Sequence, residues 1–299
     1  MLAVRRFNYS TQATWLFLRL LERKTPVAIM VLLTMLGTAL TFVPAPIYAQ
    51  GPACGATITT NTTLTANIGP CAGEGLAIGA SGITLDCAGH TISGTGSSPG
   101  IDLSGVTSAT VENCRVMIFD QGFFLSLSSG NTLTGNTADN NTDGFVLASS
   151  SKNTLTGNTA DYNAYGFSLT HSSKNKLTGN AADSNLQSGF LLQFHSTHNK
   201  LATNTADGNG HSGFLLQKGS NKNTLTGNTA DKNFDGFTLL QSKKNTLTGN
   251  TADSNTQYGY LDKTRGSGTL GTANNYSNDE CSNNGVGGSH PRGLGSPQP

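Results

Sequence analysis

NTLTGNTADNNTDGFVL, residues 131–147, decides the fold, because the phrase keeps returning. Its opening Asn131 recurs as Asn153, Asn175, Asn199, Asn223 and Asn245, at intervals of 22, 22, 24, 24 and 22 residues. Each unit reads N-x-L-x-x-N-x-A-D-x-N, then two or three residues, then G-F-x-L. A fixed period in this range marks a solenoid, in which each repeat is too short to bury its apolar face alone. Leu133, Leu155, Leu177, Leu201, Leu225 and Leu247 share one column. Phe145, Phe167, Phe190, Phe214, Phe237 and Tyr260 share a second, and Ala138 through Ala252 a third. Within a unit the apolar residues alternate, as in Phe145-x-Leu147, which is strand spacing. No stretch holds a helical period.

Working outward, fainter copies precede the clear ones. Val111 takes the leucine place, with Gly122-Phe123-Phe124-Leu125 closing its unit, and before it Leu85 pairs with Gly100-Ile101-Asp102-Leu103. Earlier still, Leu64 pairs with Gly75-Leu76-Ala77-Ile78. The pattern predicts an all-β parallel β-helix of about nine coils over residues 62–266. Stacked at about 4.8 Å, neighbouring coils close each other's backbone hydrogen bonds. The Asn columns beginning at Asn136 and Asn141 suit turns, where their side chains bond backbone groups up the stack. The Gly column at 144, 166, 189, 213, 236 and 259 suits a tight bend before the phenylalanine. Leucine-rich repeats demand L-x-x-L-x-L, and calcium-binding nonapeptides demand G-G-x-G-x-D; neither pattern is present.

The expected organisation is a signal segment over residues 1–49, an N-terminal cap and first coil over 50–82, repeats over 83–266, and a Gly/Asn-rich cap and tail over 267–299. Arg5, Arg6, Arg19, Arg23 and Lys24 precede the apolar run Val27–Val43, and Ile47-Tyr48-Ala49 ends on a small residue before Gln50. This is the form of a secretory signal, and it implies an extracellular or periplasmic protein. An uncleaved membrane anchor is the alternative, and would be the chain's one tie to a membrane. Without this segment the chain keeps 13 Lys/Arg and 16 Asp/Glu, a net charge of −3 with His neutral. Charged residues are 12% of the chain, about half the usual share. The balance gives no basic surface of the kind that binds nucleic acid.

The residues Cys54-Gly-x-x-Ile58 through Cys71, Gly82-Ile83-Thr84-Leu85-Asp86 and Gly89-His90-Thr91-Ile92-Ser93-Gly94 resemble the start of NosD-like β-helix proteins. The N-x-L-x-x-N and G-x-x-L coils resemble that group too. The likeness spans roughly residues 54–285. It implies a single-stranded right-handed parallel β-helix of the pectin-lyase-like superfamily. That superfamily holds lyases, hydrolases, epimerases, adhesins and copper-site accessory proteins, so the resemblance fixes no activity.

Five cysteines remain after the signal segment. Cys54 and Cys71 bracket the first coil, and a disulfide there would staple the cap. Cys87 and Cys114 fall in register on adjacent coils, within reach of a bond. Because stacked side chains run parallel, a pair of buried thiols is the favoured alternative.

Four sets of residues are candidates for function. The column Asp139, Asp161, Asp183, Asp207, Asp231 and Asp253 would either bridge Ca²⁺ or form a solvated ladder balanced by Lys152, Lys174, Lys222, Lys232 and Lys244; the ladder is preferred. His171 and His195 should stack on adjacent coils, with His198 three residues on, a set able to share copper but more simply polar turn residues. Tyr162, Tyr165, Phe194, Phe234 and Tyr258 lie near turns and would serve as stacking platforms for sugars if exposed. Ranks of Thr-Leu-Thr resemble the flat faces of ice-binding solenoids, but Lys176, Lys200 and Ala202 interrupt them.

Catalytic motifs are incomplete. Asn141-Thr142-Asp143 matches the N-T-D of polygalacturonase-like hydrolases, without their D-D, G-H-G or R-x-K. Tyr165-Gly166-Phe167 lacks the D-P-H that accompanies it in mannuronan epimerases. Binding of extracellular polysaccharide therefore ranks above action as a polysaccharide lyase or hydrolase, and above a copper-accessory role.

Overall fold

The computed structural model describes residues 51–296, so the expected signal segment lies outside the described residues. Each coil runs along three faces, two of them built of short strands throughout, and every strand pairing is parallel. Sheet 1 has eleven strands, from Ala56–Ile58 to Gly287–His290, and sheet 2 has ten, from Thr62–Thr63 to Asn275–Ser277. Sheet 3 is regular at both ends and is carried through the middle by single bridges, Thr137 to Thr159, Ala181, Thr205, Thr229 and Thr251.

The register is that of the sequence columns. Leu133 lies beside Val111 and Leu155, and Phe145 beside Phe123 and Phe167. Rings from Phe123 to Tyr260 stack face to face, with centroids 4.5–5.0 Å apart. Nine sheet 2 strands fall within 62–266. The tenth belongs to a further coil, Asn275–Ser277, Glu280–Ser282 and Gly287–His290, inside the stretch expected as cap and tail. Tyr276 takes the leucine place there, a substitution that hid the coil from the repeat pattern.

Four corners turn each coil of the clear repeats, and each uses the same device. A residue with positive φ is followed by a buried polar side chain: Ser149 before Ser150, Lys152 before Asn153, Gly157 before Asn158, Tyr162 before Asn163. The buried member bonds up and down the stack. Asn158 Oδ1 accepts the backbone N–H of Asn136 at 3.0 Å, and its Nδ2 donates to Leu133 O at 2.9 Å and to Asn180 Oδ1 at 3.0 Å. Three Asn ladders and one Ser ladder thus take up the backbone groups that the corners leave unpaired between strands.

The Gly column has a different cause from the bend expected of it. Gly144 and Gly166 have no positive φ. A Cβ on Gly166 would stand 2.7 Å from Gly189 O and 2.8 Å from Ala182 Cβ. The column is glycine because the Ala column packs directly against it.

Cys54–Cys71 and Cys87–Cys114 are both disulfides. The second departs from the favoured pair of thiols. Its Cα atoms are 4.7 Å apart, close enough for the side chains to turn toward each other across one coil step. Cys281 remains a buried thiol in register with the Ala column, its pKa pushed up to about 11 by burial first and by Asp253 and Asp279 next.

Candidate functional site on the outer face of sheet 1

The longer units explain where a site forms. Between the last Asn ladder and the Gly column, three of the six clear units have two residues, whereas Leu186-Gln187-Ser188, Gly210-His211-Ser212 and Thr256-Gln257-Tyr258 have three. On the other side of the same strand, Phe194-His195 and Lys218-Gly219 also include an added residue. The insertions therefore flank sheet 1 and raise two rims beside its outer face. Sheltered between them, Leu191, Leu215 and Leu261 point away from the core yet are buried.

At the C-terminal end this groove deepens into a cleft of about 380 Å³. Thr238, Leu240 and Leu261 form its floor, His211, Phe234, Gln257 and Tyr258 one rim, and Lys263 and His290 its far end. His211 stacks on Phe234 with centroids 6.2 Å apart, and Tyr258 tilts against His290 at 5.9 Å. Asp235 is buried in the wall and accepts the Tyr258 N–H at 3.1 Å. Burial raises its carboxyl above the ordinary range; the Tyr258 bond, His211, Lys263 and a Thr238 hydrogen bond partly offset that. Ser212 Oγ donates to Thr238 Oγ1 at 2.9 Å and lies 2.9 Å from His211 Nδ1. Hydrogen bonds thus run from His211 through Ser212 to Thr238, whose hydroxyl acts on Asp235. Aromatic faces, an imidazole, an ammonium and a buried carboxyl converge on one apolar floor. Such a set can grip sugar rings and exchange a proton with them.

Lys263 and His290 also line an adjoining hollow of about 620 Å³ with Arg265. Toward the N-terminal end of sheet 1, Asp143 of the N-T-D motif sits near Asp120 of the preceding coil, and its pKa rises to about 6, mainly through burial and secondarily through Asp120. An Asp-Asp neighbourhood absent from the linear sequence is thus supplied by stacking.

The sequence candidates divide. Phe234 and Tyr258 meet in the cleft. Tyr165 shares the row of Tyr258, at the head of its own strand, four coils away. Phe194 lies on the opposite rim between His171 (centroids 5.7 Å) and Lys218 (Nζ 4.1 Å from the ring centre), so neighbours from both adjoining coils already pack against its ring. Tyr162 is exposed at a corner away from the groove. His171 and His195 do neighbour one another, at 6.4 Å, but His198 takes the corner position that Lys152 and Lys174 hold in other coils. Among the described residues no three His, Cys, Asp or Glu side chains gather as a metal site.

The Asp column is a backbone-binding ladder. Asp161 Oδ1 accepts the Asp183 N–H, Asp183 the Asp207 N–H and Asp207 the Asp231 N–H, at 2.8–2.9 Å. Of the lysines expected to balance it, Lys232 favours the charged form of Asp231, while the one ion pair among the described residues is Arg115–Asp139, at 3.7 Å. Asp139, Asp161, Asp183 and Asp231 have raised pKa values, chiefly from burial. His211, Lys263 and His290 were not singled out from sequence. The inserted residue before Ser212 and the aromatic one coil later were the available signal.

Among solved structures, the Dettilon tailspike protein (gp208) superposes with a TM-score of 0.60 at 14% identity, covering 75% of this chain and 54% of its own. The periplasmic alginate epimerase AlgG superposes with a TM-score of 0.53 at 18% identity, covering 70% of this chain and 57% of its own. The chain thus spans little more than half the length of either, and the likeness is one of fold. No curated protein matches it in sequence. The model of the right-handed β-helix region matches residues 51–206, 100–252 and 188–276, together most of the chain and without distinction of a narrower group. The chain belongs to the right-handed β-helix family.

Proposed function

We propose that this protein acts outside the cytoplasm and binds polysaccharide along the outer face of sheet 1. The observation that carries this is the cleft in which Phe234 and Tyr258 stand beside His211, Lys263 and His290 over an apolar floor. Aromatic walls with a few convergent polar groups suit sugar rings, which offer apolar faces and polar edges. An open groove continuous over several coils accommodates a chain rather than a single sugar. Two neighbours of the same fold, a tailspike protein and an alginate epimerase by name, are in keeping with it. The two disulfides fit an oxidising compartment.

Catalysis is the second reading, favoured by one feature: the relay that links His211 to the buried Asp235. A site with that proton inventory could act as a polysaccharide lyase or hydrolase. A glycan array with wild type and the Phe234→Ala/Tyr258→Ala variant tests binding. Wild-type signal lost in the variant is the expected result, and silence of the wild type on the whole array refutes it. Assay of the bound glycan for new reducing or unsaturated ends, with His211→Ala and Asp235→Asn as controls, separates an enzyme from a binder.

A further inference from the structure

We propose that the edge where sheet 1 turns into sheet 2 is a second binding surface, which holds a linear polyuronate along the solenoid axis. The inference rests on the polysaccharide reading for the class of polymer only. The surface itself is separate from the cleft.

Charge on this solenoid is segregated. Of the ten lysines after residue 50, eight lie in the five stretches 148–157, 170–179, 193–203, 217–227 and 240–249, which also contain three histidines and no Asp or Glu. These stretches are the same corner in five successive coils. Lys152, Lys174, Lys222 and Lys244, with His198 between, form a single file of exposed side chains at one register position. Beside them, Lys176 and Lys200 replace the threonines that neighbouring coils carry in the first row of sheet 2, Thr154 and Thr224. The Asp column lies across sheet 2 and a further corner, and none of these lysines forms an ion pair among the described residues.

Two costs are built into this arrangement. Like charges one coil apart, at about 4.8 Å, repel one another. Each lysine of the file also has φ near 59°, a conformation that Gly or Asn adopts more easily, and Gly130 holds the same corner one coil earlier. The file keeps lysine four times despite both. A polyanion laid on it would relieve the repulsion at every rung. An extended polyuronate carries one carboxylate per sugar along a single chain, so it sets a line of negative charge against a line of positive charge. A single file, one residue wide, offers little to a membrane plane or to the paired strands of a duplex.

The test is binding of a labelled polygalacturonate oligomer, against a neutral galactan of equal length, by fluorescence polarisation at low and physiological salt. Wild type should prefer the polyuronate and lose affinity as salt rises. Combined Lys152→Asn, Lys174→Asn, Lys222→Asn and Lys244→Asn should weaken it on the order of tenfold or more, because several counter-charges are removed together. Asn tolerates the corner conformation, so circular dichroism should be unchanged. Should that variant misfold, Lys176→Thr with Lys200→Thr, which restores the residue of the adjoining coils, serves in its place and should lose several-fold. The Phe234→Ala/Tyr258→Ala variant should still prefer polyuronate to galactan, with the same loss as salt rises. Loss in that cleft variant with none in the lysine variants would overturn the second surface while leaving the cleft standing. Equal binding of charged and neutral glycans, or a preference for duplex DNA or phosphatidylglycerol vesicles, would overturn it also.

Discussion

Replacing Asn180 by Ala isolates the contribution of one rung. Asn180 Oδ1 accepts the Asn158 N–H at 3.0 Å and the Asn158 Nδ2 at 3.0 Å, and its Nδ2 donates to Leu155 O at 3.0 Å and to Asn204 Oδ1 at 2.9 Å. All are buried. Ala leaves the Asn158 N–H without a partner, at about 1–3 kcal/mol, and removes one of the bonds that the Leu155 carbonyl accepts, at about 0.5–1.5 kcal/mol. The expected loss is therefore about 1.5–4.5 kcal/mol, with the upper end reached only if no water enters. Thr156→Ala is the matched control. Its side chain is exposed on sheet 2, and Ala202 already occupies that row. It should change stability by less than about 0.5 kcal/mol.

Coils contact only their neighbours, so the damage should be local before it is global. Urea melts followed by circular dichroism give the total. Native-state hydrogen exchange at the Asn158 and Asn180 amides gives the locality. Asn180→Asp sharpens the test: it keeps the acceptor and loses the donor, so it should be destabilised at neutral pH and partly recover in acid, when the carboxyl regains a proton to donate. If Asn180→Ala costs no more than Thr156→Ala, the ladders do not hold the corners and the account of the fold is wrong.

Gly166→Ala should cost about 1–3 kcal/mol from overpacking, and Ala182→Gly should rescue it only in part, because the Gly189 carbonyl still blocks the new methyl; thermal melts of the single and double variants decide. Cys87→Ala with Cys114→Ala opens a link of sequence separation 27 and should lose about 3–4 kcal/mol, read by calorimetry. Asp143 and Asp279 have pKa values raised to about 6, both chiefly by burial. A carboxyl with a raised folded pKa favours the folded state fully below its unfolded value and loses that contribution as pH rises through about 6. The melting temperature should therefore fall between pH 5 and pH 7.5, and Asp143→Asn should flatten that slope; an increase with pH refutes the assignment.

The fold was legible because the core admits few alternatives. A leucine that must lie over a leucine, coil after coil, prints a column, and the columns name the strands, the ladders and the register. What the repeat conceals is anything that obeys it for a second reason. The Gly column was visible, but whether it bends the chain or makes room for Ala182 and its equivalents depends on a direction in space that spacing does not encode. The Cys87–Cys114 bond turned on the same kind of detail, a rotation of two side chains already known to be adjacent.

Outward positions follow another logic, and there departures carry the information. The core tolerates no change of period along its strands, so added residues can be accommodated only at corners, where they protrude. The extra residues around Gln187, His211, Phe194 and Lys218 all flank sheet 1, so length variation alone points to that face. Net charge misled in the opposite way. A value near −3 for the chain after residue 49 averages an acidic column, half-buried and bonded to backbone, with a lysine file that is exposed and unpaired with it. In a solenoid each residue of the repeat is assigned to one edge, so charge has to be counted by column rather than by chain. Counted that way, the cleft and the lysine edge are distinct features, one built by insertion and the other by substitution, and variants at either should leave the other's binding intact.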